Sequence, residues 1–157
     1  MRHHKPAKLA GSFVASYAAA GLGSLATIKN IPTWYAGLDK PFFTPPNWLF
    51  GPVWTVLYGL IAISLYAVWT APPSDRRREA LNWYAIQLML NAAWSIVFFG
   101  LHQLWPGVVI ALALLASIIT NIVAAHHVRQ LAAYLLIPYA LWVGFASCLT
   151  IGLAVMN

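Results

Sequence analysis

The stretch Ala80–Val128, ALNWYAIQLMLNAAWSIVFFGLHQLWPGVVIALALLASIITNIVAAHHV, contains no Asp, Glu, Lys or Arg. A helix crossing about 30 Å of hydrocarbon needs about 20 apolar residues, so this run is long enough for two spans. Pro106, with the turn around His102 before it, marks where one ends and the other begins. Barrel strands would alternate polar and apolar residues over about ten positions, whereas this run is continuously apolar. It therefore reads as a pair of membrane helices.

The same pattern extends outward in both directions. No charged residue occurs from Leu9 to Ile28, from Pro41 to Ser74 or from Gln130 to Asn157. The chain of 157 residues is 61% hydrophobic and 8% charged, against about 25% charged in soluble domains, and its mean hydropathy is +0.72. The fold class is all-α: a single transmembrane domain of five helices, expected over about 8–27, 47–70, 75–100, 105–127 and 131–155. A long first loop, 28–46, is left as a lid. The first span has a basic start, but its apolar run continues past Ala18-Ala19-Ala20 to Ile28, so it is expected to be a retained helix and not a cleaved leader. Cys148 stands alone, within the fifth span, so no internal disulfide is possible.

The net charge of +6 reads as membrane orientation, not as nucleic-acid binding. Arg2, Lys5, Lys8, Arg76, Arg77, Arg78 and Arg129 fall on one side of a five-span topology, and Lys29 and Lys40 on the other. The positive-inside rule then puts the N-terminus in the cytoplasm and the first loop on the opposite face.

Local signals mark the helix ends. Asn47 after Pro45-Pro46 is a candidate N-cap for the second helix, and Ser74 and Asp75 for the third. Pro52 is expected to kink the second helix near its start, and Pro138 the fifth. Gly11, Ala15, Ala19 and Gly23 recur at spacing four on the first helix. That stripe allows close helix approach, within one chain or across a dimer. Consecutive helices joined by short connections should be antiparallel neighbours.

The first loop, Trp34-Tyr35-Ala36-Gly37-Leu38-Asp39-Lys40-Pro41-Phe42-Phe43-Thr44-Pro45-Pro46-Asn47-Trp48, is too long and too aromatic for a plain connector. Polar side chains inside a span are costly and so informative. Gln87, Asn91 and Ser95 form one stripe of the third helix, flanked by Trp83 and Trp94, facing a neighbour or a cavity. Trp54 and Tyr58 lie one turn apart on the second helix; Tyr139, Trp142 and Ala146 follow on the fifth. Trp54, Asn91 and Trp142 sit at matching depth below the loop, so they could line a pocket that it covers. Trp48, Trp69, Trp83 and Trp105 fit an interfacial belt instead.

Other chemistries are disfavoured. His3-His4, His102 and His126-His127 form no buried pair, so no metal site is expected. Asp39, Asp75 and Glu79 all lie near span ends. No acid pair, nucleophilic triad or phosphate loop is present. No ionisable residue lies inside a span, which argues against active transport.

These segments resemble the translocator protein family, also called tryptophan-rich sensory proteins or peripheral-type benzodiazepine receptors. The likeness covers nearly the whole chain. It is carried by Trp34-Tyr35 with Leu38, Lys40-Pro41, Pro45-Pro46, Trp54 through Tyr58, Gln87 to Phe99 with Asn91, Trp94 and Phe98-Phe99, and Pro138-Tyr139-Ala140-Leu141-Trp142 with Phe145-Ala146. The resemblance implies a five-helix bundle, usually a homodimer, whose pocket opens beneath the first loop. The implied ligands are porphyrins such as protoporphyrin IX, benzodiazepine-type and isoquinoline carboxamide compounds and, in animal members, cholesterol. Trp54 and Asn91 match ligand-contacting positions, Tyr35 and Pro45 the lid, and Ala146 a small pocket-lining residue. Trp142 matches an indole implicated, with Trp54, in light-dependent porphyrin breakdown. Tyr58, Trp94, Phe98 and Tyr139 complete the candidate binding set.

One departure is instructive. The cholesterol-recognition pattern of Leu/Val, Tyr and Lys/Arg is missing from Leu149–Asn157, which removes the sequence argument for sterol binding and suits a bacterial member. Porphyrin would be a ligand and no resident cofactor is expected; membrane lipid is the other expected partner. Lys40 or Lys29 is a candidate partner for a porphyrin carboxylate. Three functions follow: a receptor or sensor for tetrapyrroles, a light- and oxygen-dependent porphyrin-degrading enzyme, or a passive carrier of porphyrin or lipid.

Overall fold

The computed structural model describes residues 5–157; Arg2 and the His3-His4 pair lie outside the described residues. Five helices follow in order: α1 (Pro6–Asn30), α2 (Phe50–Trp69), α3 (Asp75–Ser95), α4 (Leu104–His126) and α5 (Gln130–Met156). Each belongs to a segment long and apolar enough to cross a membrane, and no strand occurs among the described residues. Without water in the hydrocarbon, a backbone satisfies its polar groups internally only as a helix or a closed barrel.

The helix ends follow from capping chemistry, with one correction. Ser74 Oγ accepts the Arg77 backbone N–H at 3.1 Å, with Asp75 in the first turn, so α3 starts as its sequence predicts. Asn47 does not cap α2. The chain enters that helix through a 3-10 turn, Asn47–Leu49, and no side chain bonds to the first α-helical turn. Asn47 lies inside that turn, at the border of a cavity. Pro52 is the third residue of α2, where its missing N–H costs no intrahelical bond. Helix α1 runs to Asn30, three residues past the expected end. Lys29 suits its last turn, and the loop is shorter by the same amount.

The helices pack as a ring in the order α1, α2, α5, α4, α3, with α1 and α3 also in contact. Helices α2 and α3 are consecutive, yet the main neighbours of α2 are α1 and α5. At the end away from the first loop, Lys8 Nζ donates to the Trp69 carbonyl at 3.1 Å and Arg77 to the Ala71 carbonyl at 2.8 Å. Lys8 thus sits on a carbonyl of the last turn of α2 and Arg77 on one two residues beyond it.

Small residues on α1 serve packing within the chain. Ser12, Ser16, Ala19 and Gly23 face inward. A Cβ at Gly11 would stand 3.0 Å from the Trp69 ring, and one at Gly23 3.0 Å from Ser95 Oγ. Ser16 Oγ donates to the Tyr58 carbonyl at 2.7 Å. Ala15, on the same spacing-four stripe, is exposed.

Two buried polar groups stitch α2, α3 and α5 together. In the first, the Tyr58 hydroxyl donates to Asn91 Oδ1 (2.6 Å), Asn91 Nδ2 to the Tyr139 hydroxyl (2.7 Å), and that hydroxyl to Gln87 Oε1 (2.8 Å). In the second, Ser64 Oγ donates to the Ala132 carbonyl at 2.7 Å. Its single proton is thereby used, so the contact with the Tyr84 hydroxyl has tyrosine as donor. Bonds of this kind within a bilayer each contribute about 0.6–2 kcal/mol.

Candidate functional site

The segment after α3 is where local structure first departs from the regular pattern. Ile96–Gly100 is a π-helical turn, closed by the Leu101 N–H on the Ile96 carbonyl at 2.9 Å. The wider turn carries Phe98 and Phe99, adjacent in sequence, both into the interior. In a regular α-helix neighbours point 100° apart, so a π-bulge is a direct way to bury two consecutive rings. His102 then takes a left-handed backbone, φ 57°, a conformation histidine tolerates better than most residues. Its ring stacks on Trp34 at 4.5 Å, and Nε2 lies 2.7 Å from Asn30 Oδ1. One end of the first loop is thus fixed to the α3–α4 turn.

Beneath the loop lies a narrow aromatic cleft of about 20 Å³. Tyr35, Trp54, Trp94, Phe98, Trp142 and Ala146 are among its walls. Three donors around it have no partner: the Tyr35 hydroxyl, Trp94 Nε1 and Trp142 Nε1. Unpaired buried donors are rare because each forfeits the hydrogen bond it made to water. Burial also raises the Tyr35 hydroxyl above the ordinary tyrosine pKa, so at neutral pH it remains a proton-bearing donor.

A larger cavity, about 470 Å³, lies alongside, between α1 and α2 in the half of the bundle nearer the loop. Small-molecule sites commonly measure about 300–1,000 Å³. Exposed Tyr17, Ser24 and Ile28 on α1 and Thr55 on α2 are among its walls, so it opens sideways between the two helices. The Tyr17 hydroxyl donates to the Thr55 carbonyl across it at 2.8 Å. Trp54 and Trp94 border both this cavity and the cleft. The Trp54 ring packs 5.5 Å from Tyr58, 6.4 Å from Trp94 and 6.2 Å from Tyr139, centre to centre.

The structure divides the candidate residues. Trp54, Trp94 and Tyr58 line the open cavity. Tyr35, Phe98, Trp142 and Ala146 line the cleft. Asn91 and Tyr139 line neither, because their polar atoms are spent on the buried hydrogen-bond chain. Pro45 also lines neither cavity. Lys40 Nζ donates to the Ala36 and Leu38 carbonyls at 3.2 and 3.1 Å and lies 5.0 Å from the centre of the Tyr35 ring; it stiffens the loop it belongs to. The sequence reading missed the α1 wall. Its signal was present: Tyr17, Gly21, Ser24 and Ile28 recur at spacings of three and four, one helical face.

Fold and site together define a five-helix integral membrane protein with a ligand-sized cavity set among aromatic side chains. The TspO/MBR family pattern matches residues 12–156, and the chain belongs to that family. It is similar to the tryptophan-rich protein TspO of Archaeoglobus fulgidus, with 45% identity over 150 residues, covering 96% of this chain and 97% of the relative. A tryptophan-rich protein TspO of Chlorobaculum tepidum is 38% identical over 136 residues, 86% of each chain. The translocator protein of Homo sapiens is 39% identical over 118 residues, covering 74% and 70%.

Proposed function

We propose that this protein is a membrane receptor for tetrapyrroles such as protoporphyrin IX and for related flat hydrophobic ligands. The supporting observation is the position of Trp54. Its indole is one of four aromatic rings, with Phe50, Trp94 and Phe99, shared by the open α1–α2 cavity and a cleft edged by three unpartnered donors. A porphyrin is a flat aromatic plate with two carboxylates. Indole and phenol faces suit the plate, and the free N–H and O–H groups suit acceptors at its edge. The narrow cleft is too small for any such ligand. The neighbouring α1–α2 cavity, about 470 Å³, is of ligand size and shares the Trp54 wall with the cleft.

The receptor would sit with its N-terminus in the cytoplasm, following the excess of Lys and Arg at that end, and would act as a homodimer. A second reading has one observation in its favour: Trp54 and Trp142 both border the cleft, where two oxidisable indoles could meet a light-excited porphyrin.

The test is protoporphyrin IX binding to detergent-purified protein in the dark, read by tryptophan quenching and by calorimetry, for wild type and Trp54→Phe. Saturable binding weakened about threefold to tenfold by the substitution, the range set by one aromatic contact, supports the receptor. Absence of saturable binding to the wild type overturns it. Under illumination, a defined product lost in Trp54→Phe at saturating ligand would favour the enzyme.

A further inference from the structure

The middle of the first loop is fixed in a different way from Trp34. The Asp39 backbone N–H donates to Asn157 Oδ1 at 3.0 Å, and Asn157 Nδ2 donates back to the Asp39 carbonyl at 2.9 Å. The side-chain amide thus pairs with one loop residue as a neighbouring strand would. Nδ2 also donates to the Leu153 carbonyl at 2.8 Å, which aligns the amide with the end of α5. One turn back, Gly152 receives the ring of Pro41: a Cβ at Gly152 would stand 2.5 Å from Pro41 Cγ. Between these two contacts, Lys40 ties the loop to the carbonyls of Ala36 and Leu38.

These contacts sit directly over the cleft. Leu149 and Leu153 of α5 are cleft walls, and Tyr35, whose ring lies under the Lys40 ammonium, is another. The loop is therefore held at two anchors, His102 near its start and the last turns of α5 at its middle. Its tip is free of both: Phe42 is fully exposed.

We propose that Asn157 and Gly152 form a latch that holds Asp39–Pro41 shut over the cleft, so that access from the aqueous side requires this latch to part. Asn157 and Gly152 are positioning residues, since neither lines the cleft. Two neutral hydrogen bonds and one ring contact make a catch weak enough to open thermally and specific enough to close in one register. While the latch is closed, the sideways opening between α1 and α2 is the other way in. The inference rests on the reading of the cleft as a ligand site.

The test uses the full chain with Ala146→Cys as a reporter at the cleft wall and Cys148→Ser to remove the native thiol. Labelling by a small, membrane-impermeant thiol reagent is timed without ligand in this background, then with Asn157→Ala or Gly152→Ala added. The latch predicts labelling about tenfold faster for Asn157→Ala, the loss expected for two hydrogen bonds, faster labelling also for Gly152→Ala, whose Cβ would displace Pro41, and a smaller rise for Asn157→Asp, which keeps the acceptor and loses the donor. Protoporphyrin IX association and dissociation should both quicken by a similar factor, with Kd changed less than either rate. Unchanged labelling in both variants overturns the latch. Faster labelling with unchanged porphyrin rates also overturns it, because the loop would then open without governing access. If the wild type binds no porphyrin, the tetrapyrrole reading falls and the thiol rates alone decide the latch.

Discussion

Asn91 Nδ2 donates to the Tyr139 hydroxyl at 2.7 Å, and this contact fixes the direction of every other bond in its chain. Tyr139 must then give its own proton to Gln87, and Asn91 Oδ1 is left to accept from Tyr58. Reversing the amide would oblige Tyr58 to accept and Tyr139 to give its proton to Asn91, and Gln87 Oε1 would then lose the donor it has here. The third-helix amide stripe is thus a structural joint between α2, α3 and α5, one helical turn from the aromatic cleft.

Asn91→Ala should lower the stability of the ligand-free protein by about 1–3 kcal/mol, the cost of leaving buried polar partners unsatisfied. Adding Tyr58→Phe to it should cost less than the sum of the two single changes, because the pair shares one bond. Thermal unfolding in detergent without ligand reads both. A fully stable Asn91→Ala protein that has lost only ligand affinity would assign Asn91 to the ligand instead.

Gly21 separates the cavity from the fold. It lines the α1–α2 cavity, and a Cβ there meets nothing within 4 Å. Gly21→Leu should fill the opening with no loss of stability, and the better helix former can add up to about 1 kcal/mol. Ligand affinity should fall while Tm holds or rises. Unaltered affinity would show that the cavity between α1 and α2 is not occupied.

Gly107 tests the π-turn. Its α-carbon approaches Phe98 so closely that a Cβ would lie 2.9 Å from Phe98 Cδ2. Phe98 is 1% exposed and packs edge-on against Trp34, so it has little room to yield. Gly107→Ala should cost about 1–3 kcal/mol, as overpacked cores do. It should also disturb the Trp34 environment, read as a change in near-ultraviolet circular dichroism.

Lys40 bears on both ligand charge and loop shape. Lys40→Glu should weaken protoporphyrin IX more than its dimethyl ester if the ammonium pairs with a carboxylate. Its bonds to the Ala36 and Leu38 carbonyls predict a second effect: Lys40→Met should loosen the loop and change the binding rates of acid and ester alike. Equal weakening of both ligands by Lys40→Glu would reduce the lysine to its structural role.

Much of the fold was legible in the sequence because the bilayer acts on composition directly. Uncharged runs of about 20 residues have few alternatives to crossing, and Ser74 announces α3 by chemistry confined to four residues. The reading erred where a local signal competed with geometry. Asn47 has cap chemistry, but the chain enters α2 through a 3-10 turn and no side chain bonds to its first turn. The π-turn at Ile96–Gly100 has no compositional mark beyond two adjacent phenylalanines that both require burial. Candidate residues were recognised by type and depth, yet Asn91 and Trp142 at matching depth serve different purposes, and depth carries no information on which way a side chain points.

Composition and helical period were enough for the number of spans, their approximate ends, the charge asymmetry and the aromatic and amide residues at one level of the bundle. These follow from the cost of charge in hydrocarbon and from helical period, both local properties. The ring order α1, α2, α5, α4, α3, the commitment of Asn91 to Tyr58 and Tyr139, the cavity between α1 and α2, and the clasp of Asp39 by Asn157 arise from packing alone. Those depend on contacts between residues 33 to 118 positions apart in sequence, set when five apolar surfaces compete to exclude lipid and pair their polar groups at once.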